Sequence, residues 1–308
     1  MSDNSNSLPE LRHKIDQIDD RLHDLIVERT AVVLEIAQAK AQQAAQNKPN
    51  AEAGDGPGRL AMRPGREAAI LRRLLSRHQG ALPKKVLVRL WRELFSAKTR
   101  LQGPMTACVF GGSEPLAYWD LARFYYGSNT PLAMAESAHD VVTKVTQNGS
   151  MIGVVPAPFG SVPAPDWWPD LAVRTGVRAW LIAKLPFVFD GNETAGPVAF
   201  TLAPIPPEAS GDDTTVLCVR TTGDGADGAL VAALAELGWP GAKVVATGHS
   251  AQRKAPVHFC ETPGFVDVND ARLTRPVAPS DLVSEIGLLG VYANPIELNA
   301  PVPSGGAP

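Results

Sequence analysis

A long, regularly spaced apolar stripe near the N-terminus constrains the fold of this chain more than any other feature. Apolar residues recur at steps of three and four, which is the spacing of one helix face, and they predict a single helix over about residues 8–42. Such a helix is roughly 50 Å long, too long to bury its stripe against two short helices of its own chain. The pattern therefore predicts a dimer with heptad-like seams. The stripe consists of Leu8, Leu11, Ile15, Ile18, Leu22, Leu25, Val32, Ile36 and Ala39.

The stripe contains charged residues where apolar ones are expected. Arg29 occupies the step between Leu25 and Val32, and Lys40 lies about 20° from it around the helix axis. On a later helix, extension of the Trp91–Phe95 face reaches Lys98 and Gln102. A single arginine at such a position often fixes register or extends its head group to water. Several buried cations without acids in phase cost several kcal/mol, so a small ligand with several negative charges is the simpler explanation.

Composition excludes several classes of protein. A length of 308 residues predicts two or three domains, and a net charge of −3 indicates neither a nucleic-acid partner nor a basic membrane-binding surface. The N-terminus carries no secretory signal pattern, and no apolar run reaches the roughly 18 residues of a membrane span. Three widely separated cysteines favour buried thiols in the cytoplasm. Neither the histidine spacing nor the GDGADGAL stretch matches a metal or dinucleotide motif, so we expect no cofactor and no metal.

The remaining patterns predict a multidomain chain. A second helix starts near Pro64 and a third near Pro83, with 41–62 as a flexible insertion before them. After Met105, strand-like bursts alternate with helical patterns, which favours an α/β or α+β architecture. The tail after Asn299 is rich in Pro and Gly and is expected to be disordered.

The order and spacing of charged residues over 8–103 resemble a known family. LRHKIDQIDDRLHDLIVER, AKAQ, RPGREAAILRRLL and RLWRELFSAKTRLQG are similar to the all-helical class of chorismate mutase. The resemblance implies an all-α, intertwined helical homodimer that converts chorismate to prephenate by a [3,3] rearrangement. Arg63 departs from the family, which often has an acid there, and so does Lys98, which replaces a serine.

The resemblance also implies a role for each candidate residue. Lys40 and Gln102 would be catalytic, because both would donate to the ether oxygen of the breaking bond. Arg29 and Arg66 would bind the substrate carboxylates, with Arg12 supplied by the second protomer. Glu67 would accept a hydrogen bond from the ring hydroxyl, while Arg63 and Lys98 would complete the binding set. All of these residues lie within 1–104, so that segment alone is expected to dimerise and to retain the activity.

Residues 105–208 resemble the first lobe of a prephenate dehydratase, in degenerate form. The glycine-rich turn has become Gly111–Pro115, the Pro-x-Glu-Asn motif has become Pro156–Phe159, and PVAFTLAP lacks the expected Thr-Arg pair. Residues 209–298 resemble a βαββαβ domain of the ACT kind, with a helix at about 278–286. Its effector turn is replaced by GHSAQRKAP, which favours a scaffold or dimerisation role over amino-acid binding.

Three functions follow from these patterns. The leading interpretation is a chorismate mutase with degenerate appendages. The second is a bifunctional chorismate mutase and prephenate dehydratase, which the altered motifs disfavour. The third is a non-catalytic dimeric partner of another shikimate-pathway enzyme, which the departures at Arg63 and Lys98 would favour.

Overall fold

The structure is a computed structural model of the chain. It describes residues 7–46, 60–112, 114–159, 167–169, 171, 179–191, 196–223, 225–249, 255–274 and 282–298. The chain divides into two compact units, residues 1–57 and 58–308, and each is described by itself.

The first unit is built on one helix. Helix α1 spans Leu8–Gln46, and its 39 residues make it about 58 Å long. The prediction of a single long helix is confirmed, and the helix extends four residues beyond the predicted end. Its apolar stripe is open, since Leu22, Leu25 and Ile36 keep 52%, 59% and 45% of their surface exposed. An apolar stripe of this length is unfavourable when it faces water, so we expect a partner surface to cover it in solution.

The second unit begins with two helices that pack on an α/β core. Helix α2 spans Pro64–Arg77 and helix α3 spans Lys84–Gln102. Leu71 on α2 and Phe95 on α3 are buried in the same apolar cluster as Tyr118 and Ala122. The two helices that the sequence groups with α1 therefore share their core with the α/β part of the chain.

The edges of the predicted insertion at 41–62 differ from expectation. Residues 41–46 continue α1, and residues 47–59 lie outside the described part of the chain. Leu60 and Met62 are 3% and 5% exposed and belong to the core of the second unit. Burial of these two apolar side chains is favourable and fixes them in the core. The prediction of a flexible insertion rested on the Ala, Gln and Gly content of the stretch and overlooked them.

One nine-stranded sheet forms the centre of the second unit, in the order β2-β1-β3-β6-β4-β10-β7-β9-β8. Strands β1, β2 and β3 pair in parallel, and the strands from β6 onward are antiparallel to their neighbours except at the β4–β10 contact. The strands are β1 Thr106–Phe110, β2 Leu132–Ala135, β3 Met151–Pro156, β4 Trp180–Leu185, β6 Ala199–Ala203, β7 Asp213–Thr221, β8 Lys243–His249, β9 Pro256–Pro263 and β10 Val283–Ala293. Strands β5 Val188–Phe189 and β11 Ile296–Glu297 form a separate pair. Helices α4 Pro115–Tyr126, α5 Ala138–Gln147 and α6 Asp227–Glu236 complete the unit.

The last four strands of the sheet have the order expected of a βαββαβ domain. Strands β10, β7, β9 and β8 lie side by side and pair antiparallel, which is the 4-1-3-2 order of ferredoxin-like domains. The predicted helix at 278–286 is wrong at its end, because Val283–Ala293 is a strand; residues 275–281 lie outside the described chain. The described part of that connection holds a short 3₁₀ helix at Ala271–Leu273. The predicted tail at 299–308 also lies outside the described residues.

Strands β4 and β10 join the two halves of the sheet. Strands β4 and β10 meet at Leu181 and Gly290, where Gly290 has φ +154°. A Cβ on Gly290 would lie 2.0 Å from the carbonyl oxygen of Leu181. The absence of a side chain therefore lets the two backbones approach. The domain boundaries at 104 and 208 stay predictions, and strands from both sides of 208 share this sheet.

The described part of the chain offers neither a membrane-spanning helix nor a cluster of metal ligands. None of its helices combines the length and the hydropathy that crossing a bilayer requires. The described residues also contain no group of three or more His, Cys, Asp or Glu side chains placed to hold a metal ion.

Candidate active site

Helix α2 begins at a carboxylate supplied from far along the chain. The residue before the helix, Arg63, provides no side-chain cap, and Pro64 follows it at the first helical position. Glu208 accepts a hydrogen bond from the backbone N–H of Arg66 at 3.2 Å and pairs with the guanidinium of Arg63. Because the first N–H groups of a helix need acceptors, Glu208 takes the place of a local cap.

Glu67 is the buried acid of the site. It lies one residue after Arg66, is 3% exposed, and faces two cations of α3. Its Oε2 lies 3.4 Å from Nη1 of Arg92, and its Oε1 lies 3.9 Å from Nζ of Lys98. Burial raises the pKa of Glu67, while Lys98 and Arg92 act in the opposite direction. Oε1 is buried and accepts no hydrogen bond from the described residues.

The predicted ligands on the second unit are arranged around this acid. The structure brings Glu67 and Lys98 together, and the Lys98 side chain is 16% exposed. Arg66 is exposed at the start of α2, and Gln102 is half-buried at the end of α3. Arg63 is engaged with Glu208 on the surface. The substrate-binding roles of these residues remain predictions.

The other predicted ligands lie on α1, in the first unit. Arg29 and Lys40 are half-buried, whereas Arg12 is exposed. Arg29 interrupts the apolar stripe and Lys40 follows its last residue, Ala39, whereas Arg12 lies about 100° from Arg29 around the helix. The roles of these three cations as substrate ligands stay predictions.

Helix α3 has two apolar faces, and only one of them is covered within the second unit. Val88 and Phe95 are buried toward the α/β core. Val86, Leu90 and Leu101 are 42%, 50% and 51% exposed on a separate stripe. At 100° per residue, Lys98 lies between the two faces, whereas Gln102 lies about 20° from Phe95 on the covered face. Lys98 is therefore at the edge of the open apolar surface, and Gln102 is at the end of the covered one.

Two residues of the site were not found from the sequence. Arg92 is 1% exposed and stacks on Tyr125, with its Cζ 3.6 Å from the ring centroid. Its position on the apolar face of α3 was a usable signal, similar to that of Arg29. Glu208 gave no local signal, because it is separated from Arg63 by 145 residues.

In the region that resembles a dehydratase, one depression among the described residues is poor in ionisable groups. A depression of about 510 Å³ is lined by Glu114–Ala117, Gly196 and Pro197. Glu114 is the only ionisable side chain among these residues. Thr201 is fully buried in β6, the strand where the expected Thr-Arg pair is missing.

Comparison with known proteins identifies a family resemblance for the three N-terminal helices. Residues 11–103 match the family model of chorismate mutase type II. The resemblance of the N-terminal helices to chorismate mutases is thereby confirmed. The mutase match ends one residue after α3 and covers α1, α2 and α3 together.

The curated relatives carry a second activity in their names. The chain is 28% identical over 150 residues to a bifunctional chorismate mutase/prephenate dehydratase of Pseudomonas aeruginosa, covering 48% of this chain and 38% of that protein. It is 28% identical over 152 residues to a protein of the same description from Stutzerimonas stutzeri, covering 49% and 39%. The chain therefore spans about two-fifths of the length of these relatives.

Solved structures give a partial likeness. Prephenate dehydratase from Arthrobacter aurescens, in complex with L-Phe, has a TM-score of 0.44 at 13% identity and covers 62% of this chain and 90% of that one. Prephenate dehydratase from Streptococcus mutans has a TM-score of 0.41 at 16% identity, with coverages of 61% and 97%.

Proposed function

We propose that the chain is a chorismate mutase that converts chorismate to prephenate in aromatic amino-acid biosynthesis. The observation that carries this proposal is the position of the candidate ligands within the segment that matches chorismate mutase type II. Arg29 and Lys40 lie on or beside an open apolar stripe of α1, Lys98 lies at the edge of an open apolar stripe of α3, and Gln102 is half-buried at the end of α3. Charged groups at these borders suit a small dianion enclosed by helices.

The residue types suit a reaction that needs no nucleophile. A [3,3] rearrangement is unimolecular, so the site must hold the substrate in its chair-like conformation and stabilise charge on the ether oxygen. Arg29, Arg66 and Arg12 would hold the two carboxylates through paired N–H donors. Lys40 and Gln102 would donate to the ether oxygen. Because position 102 is an amide, its donor is present at every pH.

Glu67 would bind the ring hydroxyl through one of its two oxygens. Arg92 occupies the side of Oε2, and Oε1 is buried 3.9 Å from Nζ of Lys98 and accepts no hydrogen bond within the described residues. A substrate hydroxyl would supply that missing donor. A buried acceptor left without a donor costs about 1–3 kcal/mol, so substrates that lack the hydroxyl would be bound more weakly.

The active form would be a homodimer. The exposed apolar stripe of α1 belongs to the first unit and that of α3 to the second. Each stripe would be stabilised by a partner surface that removes it from water. A second copy provides matching stripes, because an isologous interface uses the same surfaces twice. In such a dimer, Arg12 would reach the site of the partner.

The surroundings and partners follow from the same observations. Chorismate would be the small-molecule partner. We expect no nucleic-acid partner, because the net charge of the chain is −3. Cys108, Cys218 and Cys260 are buried and none of them is in a disulfide, which suits the reducing cytoplasm. The α/β part would be catalytically silent, because its depression offers a single carboxylate.

Incubation of the purified chain with chorismate at neutral pH tests the proposal. Prephenate alone would support a mutase with a silent α/β part. Prephenate followed by phenylpyruvate, in a preparation free of other dehydratases, would select the bifunctional function that the relatives' names carry. Unchanged chorismate would refute the proposed activity and favour a non-catalytic partner.

A further inference from the structure

Arg92 is an unusually buried cation with aromatic rings on its face. It lies on α3 at 1% exposure, with its Cζ 3.6 Å from the centroid of Tyr125 and 5.0 Å from that of Phe187. The two rings pack edge to face at 6.3 Å. Tyr125 belongs to α4, and Phe187 follows β4, so both rings come from the α/β part of the chain.

The same guanidinium reaches the candidate active site. Its Nη1 lies 3.4 Å from Oε2 of Glu67, which is on α2. Its Nη2 is buried and makes no hydrogen bond within the described residues. Arg92 therefore contacts one acid, Glu67, and two aromatic rings. A buried guanidinium is normally costly, so its environment must supply compensation.

We propose that Arg92 is a positioning residue for the mutase reaction: stacked on Tyr125, with Phe187 beside it, it fixes the carboxylate of Glu67 so that Oε1, which faces Lys98 at 3.9 Å but accepts no hydrogen bond within the described residues, can accept one from the substrate hydroxyl. This inference rests on the proposed function. It assigns a role to the α/β part of the chain, which would supply no ligand and yet would set the geometry of one.

Only an arginine combines the two contacts. Its planar guanidinium stacks on an aromatic face while donating N–H groups along its edge. A lysine would keep the charge beside Glu67 but would present a compact ammonium that cannot stack in the same way. The distinction between charge and stacking can therefore be tested with one conservative substitution.

Removal of Arg92 should also change the protonation of Glu67. Burial raises the pKa of this carboxyl, and Arg92 is one of two cations that lower it. Without Arg92 the pKa of Glu67 rises further, so a smaller fraction is ionised at any pH near it. Because ionised Glu67 is the acceptor, the acidic limb of the activity profile should move to higher pH. The groups that influence Glu67 are Lys98 and Arg92 on α3, Arg63 before α2, Glu208 after β6, and Tyr125 and Tyr126 on α4.

The test compares Arg92→Met and Arg92→Lys with a matched control. Arg89 also lies on α3 and stacks on a ring of α4, with its Cζ 5.4 Å from the centroid of Phe124, but it pairs with Glu93 and not with Glu67. We expect Arg92→Met to lower kcat/KM by about 10- to 100-fold and to move the acidic midpoint upward. Arg92→Lys should restore the midpoint more than the rate. Arg89→Met should change neither.

Two outcomes would overturn the inference. One is a folded Arg92→Met protein with the wild-type acidic midpoint and unchanged kcat/KM. If Arg92→Met does not fold, Tyr125→Leu replaces it, since it keeps the cation and removes the stacking; normal kcat in that variant would be the second outcome.

A readout without turnover separates this inference from the proposed function. If the wild-type chain leaves chorismate unchanged, the proposed function fails, and the contact is then measured by the unfolding of Arg92→Met, Glu67→Gln and the double variant. Coupling between the two substitutions would support the contact of Arg92 with Glu67. Additive effects would overturn it.

Discussion

At the scale of single residues, two pairs of charged side chains differ in how far the fold buries them. Arg29 and Lys40 lie half-buried on a stripe whose apolar residues are open. Glu67 and Arg92 are enclosed within the second unit, at 3% and 1% exposure, and contact each other. The first pair would meet its substrate at an interface, whereas the second pair is already assembled in one chain.

Arg29→Leu tests the role of the stripe cation. The substitution continues the apolar stripe, so thermal stability should stay level or rise, as it often does when a charge on an apolar face is replaced. Turnover of chorismate should fall by about 30- to 1,000-fold, because a charge-assisted contact to a carboxylate contributes roughly 2–4 kcal/mol in such a site. Melting curves and initial rates measure both effects.

Arg21→Leu is the matched control on the same helix. Arg21 lies about 80° from Arg29 around the axis and is exposed. Its replacement should leave turnover unchanged. A destabilised Arg29→Leu protein with normal turnover would instead identify Arg29 as a structural partner of its own chain.

Residue positions could be predicted where a period carries them. The stripe of α1 and the placement of Arg29, Lys40, Lys98 and Gln102 follow from steps of three and four. The partners of Arg63 and Arg92 could not be predicted, because Glu208, Tyr125 and Phe187 come from distant segments. No local pattern records which distant side chain will reach a helix.

At the scale of elements, α2 is attached to the start of β7. Arg72 donates to the carbonyl oxygens of Ser210, Asp212 and Asn294 at 3.2, 2.8 and 3.0 Å. Glu208 binds the first turn of the same helix. The helix that carries Glu67 is therefore held in place by the segment that leads into the ACT-like strands.

Gly290→Ala tests how the two halves of the sheet are joined. The added methyl would lie 2.0 Å from the carbonyl oxygen of Leu181, in a conformation that side chains rarely adopt. We expect a loss of more than about 3 kcal/mol in the free energy of unfolding, measured by urea denaturation.

Gly228→Ala serves as its control. A Cβ at Gly228, in the first turn of α6, meets nothing within 4 Å. Stability should therefore stay level or rise by up to about 1 kcal/mol. Equal stability of the two variants would contradict the close approach of β4 and β10.

The strands were predictable as elements, and their junction was not. Alternation and β-branched runs located the last four strands, and the 4-1-3-2 order follows from a βαββαβ pattern. The sequence does not show that β10 pairs with β4, because their close approach at Gly290 depends on one glycine among 27. Residues 283–286 were misread as the end of a helix, since a short apolar segment can belong to a strand or a helix, whereas LLGVYA was predicted as a strand.

At the scale of the whole molecule, the α/β part supports the mutase helices. Leu71 and Leu75 of α2 and Val88 and Phe95 of α3 are buried in the core of the second unit. The sequence favoured an independent segment 1–104, because every candidate ligand lies there. Because α2 and α3 share the core of the α/β part, we expect the segment 1–104 to be unstable on its own.

A truncation after residue 104 should fail to form a stable, active domain. It would expose those four apolar side chains, each of which contributes about 1.5–3 kcal/mol when buried. Circular dichroism, light scattering and a chorismate assay would report partial unfolding, association and weak turnover. A folded dimeric fragment with wild-type turnover would show that the α/β part is dispensable.

The claim that two copies build each site is tested most directly by a heterodimer of Arg12→Ala and Arg29→Ala chains, isolated with two affinity tags and assayed with chorismate beside the wild type. If Arg12 serves the partner's site, one site of this heterodimer lacks both arginines and the other is intact. We therefore predict about half of the wild-type turnover, against near-inactivity of each parent homodimer. A heterodimer as inactive as its parents would show that Arg12 and Arg29 act within one chain, and would contradict the shared site.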